Sequence, residues 1–406
     1  MFKKLLRRQL TIPIIILLFL IAGTALVVFF GRGYQFNFGD NGPVISGTGL
    51  LVATSSPDGA QVIINGHLTT ATDNTINLAP GNYDVKIYKD GYFPWEKKII
   101  VKNETVSKAD ALLLPTAPKL ESITNTGVWN PVLDPSRTKL AYTVASQSAL
   151  KNGIYVVDMT ARPILTLSSA SNQIANDTTN LFSLSSMAWS PDSSQILATI
   201  NNLSTTTDYL LDATTLNQNP QDVTETLPTV TAAWDKLKAD KEKSQLDSLV
   251  KPLRDVVSRD FQIVQWSDDE TKILYVASQS ATIPIIINPP LIGTDSTPQT
   301  RDIQKGQVYL YDIKEDRNYK ILESMPKTSE GTPLSIMIFP DSKHLVYVHD
   351  GKIDMMDYDG ANQTTVYAGP FIDNYVFCWP DATKLVILTN LGNPNIQPNL
   401  YTISLE

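Results

Sequence analysis

The sequence predicts a mainly β protein: an N-terminal transmembrane helix, a small β-sandwich, and a β-propeller that carries a helical insert. Three observations predict it. An uncharged apolar run follows four cations at the amino terminus, short alternating strands with Gly- and Pro-bearing turns come next, and one turn then recurs to the carboxyl end. At 406 residues the chain exceeds one ordinary core, and an apolar content of 42% argues against disorder throughout.

Residues 1–9 form a basic segment with Lys3, Lys4, Arg7 and Arg8, and residues 10–30 are the predicted span. From Leu10 to Phe30 no charge interrupts the run, and about 20 such residues cross a hydrocarbon core of roughly 30 Å as a helix. Pro13 falls in the first turn, where a missing N–H does little harm. The positive flank predicts a cytoplasmic amino terminus, with the bulk of the chain outside the cytoplasmic membrane. A cleaved signal peptide is the competing reading, but the run is long for an h-region and ends in Val27-Val28-Phe29-Phe30-Gly31-Arg32 without a small-x-small site, which favours a retained signal anchor. Residues 31–47 read as a linker, with Tyr34, Phe36 and Phe38 alternating where a lipid interface would lie.

Residues 48–115 read as a small β domain. Leu50 to Thr54 and Gln61 to Asn65 are strands joined by the turn Pro57-Asp58-Gly59-Ala60, and Asn65-Gly66 marks a two-residue hairpin. Ala79-Pro80-Gly81-Asn82 is a further turn, after which Tyr83, Val85 and Ile87 alternate with polar neighbours. Asp90-Gly91-Tyr92 leads into an expected final strand from Lys97 to Val101. These residues resemble the PEGA domain, a β-sandwich-like module of bacterial surface proteins, with Pro57, Gly59, Ala60, Asn65, Gly66, Pro80, Gly81 and Gly91 as its turn positions. Thr69-Thr70-Ala71-Thr72 departs from the family, where many members carry a Gly and a Thr-Pro pair. The resemblance implies a cell-envelope location and an adhesive or spacer role, and no catalysis.

Residues 118–406 repeat. Leu133-Asp134-Pro135-Ser136, Trp189-Ser190-Pro191-Asp192, Trp266-Ser267-Asp268-Asp269, Phe339-Pro340-Asp341 and Trp379-Pro380-Asp381 each precede an apolar strand, and a second strand follows at a variable distance. The unit is strand, tight turn, strand, hairpin, strand. Such a sheet cannot bury both faces alone, and radial stacking of copies solves that while leaving short edges. Five blades are expected, with six as the alternative, and closure is expected to borrow Leu120 to Thr124 as the outer strand of the last blade. The aromatic residue of each turn is expected to pack between blades, and Asp192, Asp269, Asp341 and Asp381 to shape the turn by bonding local backbone. The pattern resembles the repeats of TolB-like and WD40-like propellers.

Two insertions break the period. Residues 227–258 have helical spacing, with Leu246, Leu249, Val250, Leu253, Val256 and Val257 on one stripe. Packing on the propeller flank is the plain reading of that stripe; Leu246, Leu249, Val250 and Leu253 as a partner surface is the sharper one. Ser280 to Gly306 reads as a long extended loop, of a length that is often functional.

Chemistry finds little foothold. There is no G-x-S-x-G, and His67, His344 and His349 have no nucleophile placed beside them by motif. Asp357-x-Asp359-Gly360-x-Asn362 lacks the downstream Glu of an EF-hand loop. Cys378 is the single cysteine and reads as a small buried hydrophobe. Without the four N-terminal cations, 29 basic residues face 41 acidic ones, a net −12 that repels nucleic acid. No catalytic, cofactor or metal site is expected. The expected function is a membrane-anchored binding or scaffold protein of the bacterial cell envelope, with a protein or cell-wall polymer as partner. A propeller enzyme acting on glycan or peptide, and a purely structural spacer, are the alternatives.

Overall fold

The computed structural model describes residues 2–31, 35–39, 42–160, 171–203, 205–325, 336–372 and 375–406. Helix α1, Phe2–Gly31, contains the apolar run and Pro13. Large apolar side chains from Ile14 to Val28 stand exposed along it. Among the described residues no helix is long and apolar enough to cross a membrane; the side chains described on α1 run only from Pro13 to Val28, short of a full span. Tyr34 and the side chains of Phe36 and Phe38 lie outside the described residues.

The predicted linker is not structureless. Strands β1 (Gln35–Gly39) and β2 (Gly42–Ser46) pair antiparallel, with Phe36 opposite Ile45 and Phe38 opposite Pro43. The alternation read as an interfacial belt is therefore also the period of a strand.

The chain divides into two units, 1–113 with 289–297, and 114–288 with 298–406. In the first unit, β3 (Gly49–Ser56), β4 (Gln61–Ile64), β5 (His67–Ala71), β6 (Asn74–Leu78), β7 (Gly81–Tyr88), β8 (Trp95–Val101) and β9 (Val106–Leu112) form two sheets, ordered β6-β3-β9 and β5-β4-β7-β8. Alternate residues point inward, so Leu51, Ala53, Val62, Ile64, Val85, Ile87, Trp95, Ile99 and Val101 make one core. Asn65 and Gly66 both take positive φ, as a tight hairpin between β4 and β5 requires.

Strand β9 corrects the expectation that Lys97 to Val101 is the last. It pairs parallel with β3 from Leu50–Val106 to Ser56–Leu112, and its inward positions are Ser107, Ala109 and Ala111. Small side chains give a weak apolar period, and the pairing spans more than fifty residues of sequence, so only the folded sheet reveals it. The departure at Thr72 is also explained. Its buried hydroxyl accepts from the Ala60 amide at 2.9 Å and exchanges a 2.7 Å bond with Ser55, while its own N–H reaches the Ala60 carbonyl.

The second unit contains five four-stranded antiparallel sheets, none of which closes on itself. Sheet I is Trp129–Leu133, Lys139–Val144, Gly153–Asp158 and Ser171–Asn176. Sheet II is Ser186–Trp189, Gln195–Asn201, Thr206–Asp212 and Gln221–Asp222. Sheet III is Phe261–Trp266, Lys272–Ala277, Val308–Asp312 and Arg317–Leu322, and sheet IV is Ile336–Ile338, His344–His349, Lys352–Asp357 and Thr364–Tyr367. Sheet V takes Val376–Cys378, Lys384–Thr389 and Asn399–Ser404 from the carboxyl end and Leu120–Ser122 from the start of the unit. Leu120 pairs with Ile403 and Ser122 with Tyr401, so the expected borrowed strand is present, ending at Ser122.

Central strands of sheets I and III are buried on both faces: every residue of Val308–Asp312 is buried, as are five of six in Lys139–Val144. Those faces are covered by neighbouring sheets. One core joins Leu140, Tyr142 and Val157 of sheet I to Val386, Leu388 and Leu400 of sheet V, and another joins Ala141 and Val156 to Trp189 and Ile196 of sheet II. A third joins Leu274 and Leu310 of sheet III to Ile336, Ile338 and Leu345 of sheet IV.

The insert after sheet II is two helices, α2 (Leu227–Asp247) and α3 (Lys251–Asp260), with Pro228 and Pro252 in their first turns. Leu249, Leu253, Val256 and Val257 are buried against Phe261, Ile273 and Tyr275 of sheet III, so the flank-packing reading of the stripe describes them. The second insertion is less extended than expected. Ala281–Thr282 pairs with Asp302–Ile303, and the buried Asp316 carboxylate accepts the Ile286 and Ile287 amides at 2.7 and 2.8 Å.

Replacing Thr72 with Val leaves the buried Ala60 amide without its acceptor. We expect a loss of about 1–3 kcal/mol in the first unit, read as faster amide exchange across residues 48–113 with exchange in the five sheets unchanged.

Candidate functional site

The recurring turns determine which polar groups are available for chemistry. In the second copy, the Ser190 amide donates to the Gln195 carbonyl at 2.9 Å, and Ser193 adopts a φ of 61°. The buried Ser190 hydroxyl accepts from Gln195 N at 2.9 Å and donates to Asp192 at 2.6 Å. Ser267 and Asp269 repeat this arrangement in the third copy. In the first copy Asp134, next to Leu133, takes the serine's place and accepts from Thr138 N and Lys139 N. Asp341 and Asp381 accept the amides two residues on, from Lys343 and Thr383. These groups hold the chain in the turn, and Ser190 in particular is saturated with local partners.

The aromatic positions vary in partner. Trp189 donates its indole N–H to the Val132 carbonyl of sheet I at 2.9 Å, and Phe339 is fully buried. Trp379 packs in the core shared by sheets V and I, whereas Trp266 packs in the core that includes α3. Pro191 is half-buried beside Trp189.

The five residues at the left-handed turn position are Arg137, Ser193, Glu270, Ser342 and Ala382. Arg137 alone carries a long cation. It reaches sheet III, donating to the Trp266 carbonyl at 3.1 Å and pairing with Asp268 at 3.1 Å. Burial raises the Asp268 pKa, and the Arg137 charge opposes it.

Arg137 forms one wall of a cavity of about 650 Å³ in the second unit. The helical insert supplies Lys241, Glu242, Gln245 and Leu246 from α2 and Val257 and Ser258 from α3, and the first strand of sheet III supplies Phe261 and Ile263 to Trp266. Gln245 is fixed by a bond to Glu270 at 3.1 Å, and Gln265 exchanges two 3.1 Å bonds with Ile338 of sheet IV. Val264 is 38% exposed and offers apolar surface to whatever enters. The lining thus combines aromatic and aliphatic surface with two cations, two amides and one carboxylate, Glu242. Such a lining orients a ligand through a few polar groups while its apolar part is buried.

Of the predicted partner residues, Leu246 lines this cavity. Leu249 and Leu253 are corrected to core positions, 3% and 1% exposed, because they pack with Phe261, Ile273 and Tyr275 of sheet III; Val250 is 53% exposed and precedes α3. Sequence reasoning missed Arg137, Lys241, Val264 and Gln265. A signal for Arg137 existed: its turn position carries a small or acidic residue in the other copies. The strand-to-helix wall that brings it to Lys241, more than a hundred residues on, carries none.

The histidine clusters are local. His344 lies between Asp341 and, at 3.6 Å, Asp357; His349 bonds Asp354 at 2.8 Å, and Thr365 and Gln363 bond the same carboxylate at 2.7 Å. Asp357, Asp359 and Asn362 make a hairpin turn, in which Asn362 donates to Asp357 at 2.9 Å and Asp359 accepts from Ala361 N. Among the described residues no group of three or more His, Cys, Asp or Glu could hold a metal ion. Cys378 is buried, which pushes its thiol pKa up, and its sulfur lies 3.5 Å from that of Met337.

Comparison with known proteins assigns one part of the chain. Residues 48–116 match the PEGA domain. No curated protein matches the chain. Among solved structures, one designated TolB from Agrobacterium tumefaciens is 13% identical, covers 69% of this chain and 73% of its own, and has a TM-score of 0.21. TolB from Acinetobacter baumannii is 14% identical, with 79% and 60% covered and a TM-score of 0.17. The isopeptidase AtxE2 is 10% identical, with 71% and 51% covered and a TM-score of 0.30. This chain therefore spans less than two thirds of the latter two. Likenesses at these TM-scores carry no inference about function.

Asp269 and His349 each couple stability to pH. Burial raises the Asp269 pKa, but bonds from Ser267 and Thr271 outweigh it and hold the carboxyl at about 2. A depressed folded pKa contributes stability that is present above the unfolded value and lost as pH falls through the folded one. Asp269→Asn should therefore flatten the acid limb of a thermal-denaturation profile between about pH 4 and 2. Burial lowers the His349 pKa, and its bonds to Asp354 and Asp350 raise it further than burial lowers it. A raised folded pKa contributes stability below the unfolded value of 6.5 that is lost as pH rises through the folded one. His349→Gln should remove that alkaline loss, and the His349 ring protons should titrate above 6.5 by NMR.

Proposed function

We propose that the protein is a membrane-anchored binding or scaffold protein of the bacterial cell envelope, held outside the cytoplasmic membrane by α1. The five sheets of the second unit are the blades of a propeller, and the cavity beneath the helical insert is its binding site. The observation that carries the reading is the lining of that cavity. Apolar surface from Val264, Trp266 and Leu246 meets Arg137 and Lys241, a combination suited to an amphipathic group with an anionic end. Such a group occurs on proteins and on envelope polymers alike. The anchor is supported by the uncharged run from Leu10 to Phe30 behind Lys3, Lys4, Arg7 and Arg8, and the envelope location by the PEGA domain. The PEGA domain follows the anchor and precedes the propeller in sequence, which suits it to a spacer role.

The enzyme alternative needs two carboxylates converging roughly 5–9 Å apart for glycan hydrolysis. The cavity lining offers Glu242 as its single carboxylate. Binding is therefore favoured over turnover.

Two measurements test this reading. Protease added to intact spheroplasts should degrade the second unit while the amino-terminal tag stays protected; protection of the second unit refutes the topology. A photo-crosslinking residue in place of Val264 should capture an envelope component in cells, and Arg137→Ala or Lys241→Glu should reduce that adduct severalfold. An adduct unaffected by either change refutes the cavity as the binding site.

A further inference from the structure

Residues 289–297 belong with the first unit although both flanking segments belong to the second. The strands they meet are β8 and β9, which stand at the ends of their respective sheets. An end strand offers unpaired N–H and C=O groups to any extended chain, and proteins normally cover or blunt such an edge. The edge of β8 is satisfied at Ile100. Its carbonyl accepts the Ser107 hydroxyl at 3.0 Å, and its amide donates to the Ser296 hydroxyl at 2.9 Å.

Beside it, Lys97 and Asp295 form an ion pair at 2.8 Å, with side chains 12% and 8% exposed. An ion pair so enclosed costs stability if one partner is removed, because the other charge is left desolvated. Asp295 also accepts the Thr297 amide at 2.9 Å, which holds the segment in shape. At β9 the fit is by close approach. Gly293 has a φ of 79°, and a Cβ on it would come within 2.7 Å of the Val106 carbonyl. Gly293, Asp295 and Ser296 thus meet the two edges by three different means: absence of a side chain, charge, and a hydroxyl acceptor. Gly293 to Thr297 are partly buried, whereas Pro289 to Ile292 are exposed, so the contact is concentrated in these five residues.

We infer that the joined β8 and β9 edge of the PEGA domain is a docking site for a Gly-x-Asp-Ser peptide that turns at its glycine, and that Gly293 to Ser296 occupy it in cis as a strap. While the strap is seated the edge is closed to other chains, and its release opens a site with the same chemistry. A tethered segment competes at an effective concentration in the millimolar range for a short flexible linker, so a free peptide is excluded until the cis contact weakens.

The test uses the full chain in detergent micelles and a fluorescein-labelled peptide of residues Pro289–Thr297. Wild type should bind it weakly. Asp295→Lys sets two cations together in cis but leaves Lys97 available to the peptide, so binding should tighten at least about tenfold and the Ile100 amide should exchange faster. Combining it with Lys97→Glu re-forms the pair in reversed order and should return both readings to wild type. The milder Ser296→Ala should move both in the same direction as Asp295→Lys, and it serves if that variant does not fold. Peptide binding that stays at the wild-type level in both Asp295→Lys and Ser296→Ala overturns the docking site. Unchanged Ile100 exchange in both overturns the strap.

Discussion

A sheet whose central strands are apolar on both faces cannot be stable by itself, and the second unit is built around that constraint. Val308–Asp312 and Lys139–Val144 have almost no residue left to face water. Sheets I and III must therefore be covered on both faces. Cores shared between sheets I and V, I and II, and III and IV provide the cover, and α3 covers part of sheet III. The strand Leu120–Ser122 brings the start of the unit into its last sheet, where it pairs with Asn399–Ser404 as one of four strands. That pairing joins residues almost three hundred positions apart, so it forms late relative to local hairpins on loop-entropy grounds.

The turns make this stacking regular. A backbone bond across each turn, a residue at positive φ and a carboxylate accepting a nearby amide recur in chemically different forms, with Asp134 replacing the serine seen at Ser190 and Ser267. Geometry is kept while the side chain at the left-handed position is free to vary. Arg137 occupies that position in the first copy, and there a structural repeat acquires a charge that the cavity can use.

The edges of the first unit are handled differently. Its two sheets are short and end in β8 and β9, and residues 289–297 lie against them with an enclosed ion pair. The long loop in sheet III is thus partly an element of the first unit. Its other part is anchored locally, where Asp316 accepts two successive amides and Arg301 donates to the Pro284 carbonyl at 2.7 Å.

Much of this was legible in the sequence because the signals are local. Alternation marked the strands, Asn65-Gly66 marked its hairpin, and the repeated Trp/Phe and Asp positions counted five sheets and even indicated the borrowed strand. Apart from the borrowed strand, each rests on residues within about a dozen positions, where backbone preference and apolar period act directly. Strand β9 was not legible, since its inward Ser107, Ala109 and Ala111 carry almost no apolar period. Nor was the fate of the helical stripe, for the same spacing serves a buried face and a docking face, and only contact with Phe261 and Tyr275 assigned Leu249 and Leu253 to the core. The cavity and the strap depend on residues brought together from distant parts of the chain, Arg137 with Lys241 and Lys97 with Asp295. The sequence by itself determined the elements whose signals are local, the recurring turns and the strands beside them above all. Which faces remain open, and which charges meet, was decided by tertiary packing, because burial and ion pairing depend on distances that no local pattern encodes.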